Sequence, residues 1–296
     1  MQKKTELIKL YCTICYLYDN RIIPDVQRLS NNFCPKFSDV ECITIVLWGI
    51  INQKFTQKDT WKYIKDYYAK WFPDLPRYKA FNKRVCYLSD AFKVLCELLL
   101  DGLAFHPDIK THIADSMPIV VAKQSRSKKA KVAKEICNVG YCESKDMYYY
   151  GVKLTAIGQS CYKSLPIPRK IALTPASHHD LKIAEQMLFD VYNIDFFGDK
   201  AFRSKEWEAH ILEHNGIRIF TPIKLEKGQK RLDSADNLLS TAISRVRQPI
   251  ESFFNWIQEK TQLECASKVR GTAGLMSFVF SRIAVACLMI AGTILV

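Results

Sequence analysis

The chain has 296 residues, of which 48% are hydrophobic and 12% aromatic, and this composition excludes a disordered protein. Lysine plus arginine number 43 against 30 aspartate plus glutamate, so the formal net charge is +13. A surplus of this size favours a polyanionic partner, most often nucleic acid. The length suffices for one large domain or two small ones with buried cores.

The first hundred residues predict an all-helical region. Apolar residues recur at helical spacing from Leu7 onward. Ser38 followed by Glu41 has the pattern of a capping box and begins an apolar helix. Thr56 caps the next helix, and after two prolines a further helix begins near Tyr78 and continues through Leu99.

The helix that begins near Tyr78 is basic at its start, where it carries Lys79, Lys83 and Arg84. A short helix, a break and a basic helix resemble a helix-turn-helix that contacts DNA. An ordinary helical bundle with a basic, solvated side fits the same pattern, and both interpretations stay open. We expect residues 1–105 to form this helical region.

A second basic segment follows residue 120. Its cations lie within twelve residues that contain no acid: Lys123, Arg126, Lys128, Lys129, Lys131 and Lys134. The segment is either a solvated, mobile loop or a phosphate-contacting loop, and a loop that orders on DNA would be both.

The eleven cysteines and the apolar C-terminus do not change the expected class of protein. No apolar signal region follows Met1, so we expect reduced thiols. Cys12 and Cys15 have no second pair at zinc-ribbon spacing, which disfavours structural zinc. Residues 283–296 carry no charge but are shorter than the roughly twenty residues of a membrane span, so we expect a buried terminal helix or strand and no membrane partner.

The pattern changes near residue 111 and predicts an α/β layer. Residues 112–116 are a short strand candidate, and Val152–Ala156 alternates with a period of two. Ile194–Asp199 is an apolar run that ends in a carboxylate, and Ile217–Thr221 alternates again. A helix is expected from about residue 236 to 262, disturbed at Pro249.

Three carboxylates occupy unusual positions in these elements. Asp115 lies within an apolar strand, Asp199 ends another, and Glu251 lies on an amphipathic helix. A carboxylate that faces a buried layer is costly unless a cation neutralises it, and Mg²⁺ prefers oxygen ligands. Two such ions about 4 Å apart can clamp a phosphodiester. The alternative is that each residue is a surface acid at the end of an element.

Three motifs around these carboxylates resemble a DDE transposase of bacterial insertion sequences with a compact RNase H-like catalytic domain: Ala114–Pro118, Gly198–Phe202 and Arg247–Glu251. Further matches are Gly140–Cys142, Tyr150–Leu154 and Thr174–Asp180, and the resemblance covers roughly residues 111–290. It implies an RNase H-like mixed sheet flanked by helices in residues 106–296, preceded by the helical region.

The resemblance also implies a mechanism. Asp115 on the first strand, Asp199 at the end of the fourth and Glu251 on a late helix would hold two Mg²⁺ ions, for which Mn²⁺ can substitute. A metal-activated water would cut double-stranded DNA at the element's ends, and the freed 3′-OH would attack target DNA. Two ends must be paired, so a homodimer on DNA is expected, in the cytoplasm at the nucleoid.

Other residues are carried over by the same resemblance. Arg247 matches a family arginine that contacts phosphate, and Lys153 and Lys200 are candidate phosphate contacts. Many relatives have a tyrosine and a lysine where this chain has Ser244 and Gln258, so the signature is incomplete. Two alternatives stay open, namely an RNase H-like nuclease without strand transfer and an inactive DNA-binding relative.

Overall fold

The computed structural model describes residues 2–24, 26, 35–225, 228–229 and 231–292. The chain forms two compact units, one of Met1–Leu103 with Ile257–Val296 and the other of Ala104–Trp256. The C-terminal residues therefore group with the N-terminal helices, whereas the sequence assigned 106–296 to one catalytic domain. The functional division into a helical, DNA-contacting region of residues 1–105 and a catalytic domain of residues 106–296 stays a prediction.

Among its described residues, the first unit begins with five α-helices. They are α1 (Gln2–Leu17), continued by a π-helical turn (Tyr18–Ile22), α2 (Asp39–Ile51), α3 (Gln57–Tyr67), α4 (Tyr78–Tyr87) and α5 (Ser89–Asp101). The predicted capping box is confirmed, because Oγ of Ser38 accepts from the Glu41 amide at 3.1 Å and Glu41 accepts from the Ser38 amide at 2.6 Å. The helix expected from Tyr78 through Leu99 is two helices that meet at Leu88.

A buried carboxylate joins three of these segments. Asp39, 7% exposed, accepts from the Tyr18 hydroxyl at 2.9 Å and from Nε and Nη2 of Arg84 at 2.8 and 2.6 Å. The free-energy cost of removing a carboxylate from water is offset by charge-assisted hydrogen bonds of this kind. The guanidinium of Arg84 is thus engaged inside the helical unit.

The second unit is built on a six-stranded mixed sheet. Its strands are β1 (Thr111–Lys123), β2 (Asn138–Cys142), β3 (Met147–Gln159), β4 (Ile167–Pro175), β5 (Asp195–Phe197) and β6 (Arg218–Phe220). The order is β2-β3-β1-β5-β6, and β4 also pairs with β3. The β1–β3, β2–β3 and β3–β4 pairs are antiparallel, while β1–β5 and β5–β6 are parallel. The RNase H-like mixed α/β fold is confirmed.

The segments between and after these strands form four helices: α6 (Gln124–Ser127), α7 (Asp180–Leu188), α8 (Lys205–Asn215) and α9 (Ser234–Thr261). The second unit ends at Trp256, within α9. The main core joins Ala114 of β1 and Phe196 of β5 to Leu188 of α7 and Trp207 of α8. These residues are at most 9% exposed, so α7 and α8 cover one face of the sheet.

The last helix, α10 (Thr272–Ile290), belongs to the first unit and packs against α2, α4 and α5. By length and composition it could cross a membrane, but 67% of its apolar window is buried inside the protein. That burial is typical of a core helix and agrees with the expected buried terminal element; residues 293–296 lie outside the described residues. The ten cysteines within the described part are free thiols, and Cys34 lies outside it.

Candidate active site

Strand register brings the first two carboxylates together. The parallel pairing of β1 and β5 aligns Ile113 with Phe197, and Asp115 and Asp199 each follow that pair by two residues. Side chains two positions apart on a strand share a face, and adjacent strands are about 4.8 Å apart. Asp199 keeps an extended backbone, with φ −74° and ψ 170°, so both carboxylates lie on the same face of the sheet.

The turn after β5 fixes the orientation of Asp199. Its Oδ1 accepts from the Lys200 amide at 2.7 Å, and it caps a short 3₁₀ turn, Lys200–Phe202. A Cβ added at Gly198 would lie 2.7 Å from the ring of Phe202, so only glycine fits before the carboxylate. Asp115 is held in a similar way, because its Oδ1 accepts from the Ser116 amide at 2.8 Å.

Helix α9 supplies Glu251 and Arg247, which lie four residues apart on one side of the helix. Pro249 lies inside the continuous helix, so the disturbance expected there does not end the helix. Nη2 of Arg247 donates to Oε1 of Glu251 at 2.7 Å, and Nη1 donates to Oδ2 of Asp115 at 3.0 Å. Arg247 therefore joins the acid on the helix to the acid on β1.

The pKa of Asp115 depends on the charges of the other residues in the cluster. Burial raises the pKa of Asp115 to about 6, while Arg247 and the Ser116 amide act to lower it. The charges of Asp199 and Glu251 act to raise the same pKa, as like charges do at short range. The fold thus brings the charges of the three carboxylates predicted from sequence near one another, and Asp115 and Glu251 share the guanidinium of Arg247.

The donor chemistry of this cluster fits a hard divalent ion, since it offers carboxylate oxygens from a strand, a turn and a helix. Across the described ranges, no group of three or more His, Cys, Asp or Glu side chains is arranged to hold a metal ion as it stands. The arrangement in the structure is instead one in which a guanidinium occupies the space between Asp115 and Glu251.

The predicted phosphate contacts fall into two groups. The first group is exposed and consists of Lys79, Lys83, Lys123, Arg126, Lys128, Lys129, Lys131 and Lys200. The second has intramolecular partners: Lys153 donates to Asp180 at 3.0 Å and to the His178 carbonyl at 2.7 Å, Arg84 binds Asp39, and Arg247 binds Asp115 and Glu251. The charged groups of Lys153 and Arg84 are therefore engaged within the fold.

The predicted helix-turn-helix would consist of α3 and α4. Their connection, 68–77, is longer than the usual turn of about 3–4 residues. It is held by Trp61, whose Nε1 donates to the Pro76 carbonyl at 2.8 Å. Lys79 and Lys83 stay exposed on α4, so the predicted basic helix is accessible to solvent. The compact turn of a helix-turn-helix is not formed between α3 and α4.

Two expectations about the site need correction. Asp199 follows the fifth strand in chain order and not the fourth, because Asn138–Cys142 forms an additional short strand beside β3. The second partner of Arg247 was also missed: its spacing from Glu251 is legible in the sequence, but the contact with Asp115 depends on tertiary structure. Lys260, two residues after Gln258 of the incomplete signature, pairs with Glu259 at 3.2 Å.

Comparison with known proteins agrees with this geometry. Residues 108–270 match a family model described as transposase DDE domain. No curated protein and no solved structure matches the chain. Because the family match covers more than half of the chain, the protein belongs to the transposase DDE domain family, whose members are nucleases that act on DNA and generally use divalent metal ions.

Proposed function

We propose that the protein is an insertion-sequence transposase that cleaves DNA strands at the element's ends and joins the freed 3′-OH to target DNA. One observation carries the proposal: strand register and α9 bring Asp115, Asp199 and Glu251 into one electrostatic cluster inside a transposase DDE domain. In a protein of net charge +13, such an acidic cluster suits a cation-assisted reaction on a phosphodiester.

The three carboxylates would hold two divalent ions, normally Mg²⁺, with Mn²⁺ as a substitute. Bound there, the ions would activate the attacking oxygen and stabilise the leaving oxygen of the phosphodiester. The chain itself orients the ligands: the Ser116 and Lys200 amides each fix one aspartate oxygen. Glu251 is about half exposed on α9. We propose that its exposed carboxylate lies on the side of the cluster to which DNA binds.

The two reactions share one kind of displacement. In cleavage, a water oxygen bonds to phosphorus while the bond between phosphorus and the 3′ oxygen breaks, and that oxygen takes up a proton as a 3′-OH. In strand transfer, this 3′-OH bonds to a target phosphorus and the target's own 3′ oxygen leaves. Neither displacement needs a serine or tyrosine nucleophile, and the proposal assigns none.

The exposed cations are proposed to bind the double-stranded DNA of the ends and the target. The basic segment 123–134, Lys200, and Lys79 and Lys83 of α4 carry no ion-pair partner among the described residues. Pairing two ends requires at least two catalytic sites, so we propose a homodimer on DNA. We propose that it acts on bacterial DNA in the cytoplasm, at the nucleoid.

The test uses a DNA fragment that carries both flanks of the gene, with a supercoiled plasmid as target. Wild-type protein with Mg²⁺ is expected to give cut ends and joined products, resolved on sequencing gels. Asp115→Asn, Asp199→Asn and Glu251→Gln are each expected to lose at least about 10²–10³-fold in both products. Glu259→Gln, which removes an exposed acid from the same helix, is the matched control and is expected to keep activity.

The outcomes separate the candidate functions. Joined products that depend on all three acids support the transposase. Cut products alone indicate an RNase H-like nuclease without strand transfer. If any of the three variants retains strand transfer, the assignment of that residue as a catalytic metal ligand is wrong.

A further inference from the structure

Arg247 differs from the exposed basic residues because it forms ion pairs with the acidic cluster itself. Its side chain is 15% exposed, and each of its two terminal nitrogens donates to a different carboxylate. Those carboxylates belong to Asp115 and Glu251, two of the three residues proposed above to hold the metal. A cation that binds both of them competes with any other cation for the same oxygens.

The position is also incompletely satisfied. Nε of Arg247 is buried and has no hydrogen-bond partner among the described residues. An unpaired buried donor costs free energy, more so on a charged group. The guanidinium therefore has a hydrogen bond to gain by moving to an anion that can engage more of its donors.

A DNA phosphate is such an anion. Phosphate and guanidinium form paired, charge-assisted hydrogen bonds, and arginine binds phosphate through a planar fork that matches it. Without an alternative anion, release of Arg247 from Asp115 would leave a largely buried cation unpaired, which is strongly unfavourable. The exchange is favourable only when metal and phosphate arrive together.

We propose that Arg247 is an exchangeable counter-ion: it holds Asp115 and Glu251 in the metal-free enzyme and transfers to a DNA phosphate when a divalent ion takes those carboxylates. This inference rests on the proposed function, since it assumes that the same acids bind the metal. It goes beyond a simple phosphate contact, because one residue makes metal loading depend on the substrate.

Linkage makes the proposal quantitative. If DNA raises the affinity for metal through Arg247, metal raises the affinity for DNA by the same factor. Coupling of this kind is typically about 5–150-fold. Without DNA, removal of the guanidinium should therefore raise metal affinity by at least about fivefold, and part of the coupling should disappear.

The experiment is a Mn²⁺ titration followed by electron paramagnetic resonance, with and without a short DNA duplex and with a duplex-only blank. The proteins are wild type, Arg247→Gln, Arg247→Lys and Arg245→Gln. Arg245 is exposed on the same helix and has no assigned role, so Arg245→Gln is a control for the loss of one positive charge from α9. Thermal unfolding of each variant checks that the fold is retained.

Without DNA, Arg247→Gln is expected to bind Mn²⁺ at least about fivefold more tightly than wild type, and Arg245→Gln to match wild type. Arg247→Lys keeps the charge but cannot bridge two carboxylates as a fork, so it is expected to lie between them. With the duplex, the difference between wild type and Arg247→Gln should shrink. Equal affinities of these two proteins without DNA, or Arg247→Lys indistinguishable from wild type, would overturn the exchange.

A further variant separates this inference from the proposed function. Asp115→Asn combined with Arg247→Gln is expected to abolish the tight Mn²⁺ site. If the double variant binds Mn²⁺ as tightly as Arg247→Gln, the ion is not at the carboxylates and the proposed metal site itself fails. If the site depends on Asp115 but wild type and Arg247→Gln bind equally, only the exchange fails.

Discussion

The guanidinium of Arg247 lies 3.0 Å from Oδ2 of Asp115, although 132 residues separate them in the chain. This contact ties the central strand β1 to α9, and Asp199 reaches the same place through the parallel pairing of β5 with β1. The site is therefore a product of the fold: neither the strand nor the helix contains it alone.

The basic segment 123–134 should govern the salt dependence of DNA binding. Each phosphate contact releases counter-ions and contributes about −0.9 to the slope of log affinity against log salt. Lys128→Gln with Lys129→Gln should therefore lower the magnitude of the slope by up to about 2. Fluorescence anisotropy of a labelled duplex over a salt series measures it.

The matched control removes two exposed lysines from the helices of the same unit, Lys182→Gln with Lys205→Gln. Its net charge equals that of the first double variant, so any effect of overall charge is the same. Equal slopes for the two double variants would show that the segment is a solvated loop without phosphate contacts.

Gly151 should tolerate no side chain. It pairs with Val120 across β1 and β3, and a Cβ there would overlap the carbonyl oxygen of Ile119. Because the obstacle is backbone, relief requires the strands to separate beside the site. Gly151→Ala should cost about 2–4 kcal/mol in the free energy of unfolding, measured by urea denaturation.

Gly274→Ala is the control for that substitution. Its Cβ would lie 3.7 Å from Cys86 and Val269, an ordinary contact, in the first turn of α10. Alanine in a helix loses less entropy on folding than glycine, so this variant should be unchanged or more stable by up to about 1 kcal/mol. If Gly151→Ala is equally harmless, β1 and β3 are not paired as described.

The contrast between local and non-local features explains what the sequence could predict. The Ser38 capping box is legible because both partners lie within four residues. The three carboxylates of the candidate site were predicted through motifs of the family and their apolar surroundings, and they stay a prediction as catalytic residues. The bridging role of Arg247 was not, because its contact with Asp115 depends on how α9 lies against the sheet.

Topology shows the same limit. The short strand β2 has only five residues and pairs with the first half of β3, while β4 pairs with the second half. Periodicity does not reveal such sharing of one long strand, and the resemblance implies the end of the fourth strand for Asp199, whereas with β2 it follows the fifth. The break at Leu88 was missed for a related reason, since the apolar pattern continues through it.

His112 should make the stability of the sheet unit depend on pH. It is 6% exposed, and its Nδ1 lies 3.0 Å from the Lys110 carbonyl, to which it donates. Burial and the charge of Arg169 lower the pKa of His112 from its usual 6.5. As pH falls through about 6.5, the unfolded chain binds the His112 proton first, so the contribution of His112 to the free energy of unfolding should decrease, whereas Asp115, with its pKa raised to about 6, contributes in the opposite sense.

Urea midpoints between about pH 7.5 and about pH 5.5 test this dependence. His112→Asn keeps a donor near the Lys110 carbonyl but does not titrate, so its stability should fall less steeply over this range. His106→Asn, which changes an exposed histidine, should leave the wild-type slope intact. Parallel curves for wild type and His112→Asn would contradict the prediction.

Arg282 should be the most costly arginine of the helical unit to remove. It is 2% exposed on α10 and lies 3.5 Å from the ring centroid of Phe278. Its donors reach three backbone carbonyls: Nε that of Thr261 at 2.9 Å, Nη1 that of Phe278 at 3.1 Å and Nη2 that of Phe55 at 2.7 Å. These carbonyls lie at the end of α9, in α10 and after α2.

Burial lowers the pKa of Arg282, because no water solvates the guanidinium, and the three carbonyls replace that solvation. Arg282→Met keeps the apolar volume but leaves buried acceptors unpaired, so it should cost about 2–4 kcal/mol. Arg282→Lys should recover only part of this, since one ammonium cannot reach three separate carbonyls. The midpoint of thermal unfolding measures both variants.

Arg270→Met is the matched control for Arg282. Arg270 also donates to backbone carbonyls, those of Ser267 and Val269 at 3.1 and 2.9 Å, but it is exposed to water. Water can replace those hydrogen bonds, so the change should stay within about 0.5 kcal/mol. If Arg282→Met unfolds at the same temperature as Arg270→Met, the three carbonyl contacts do not hold the end of α9 against α10.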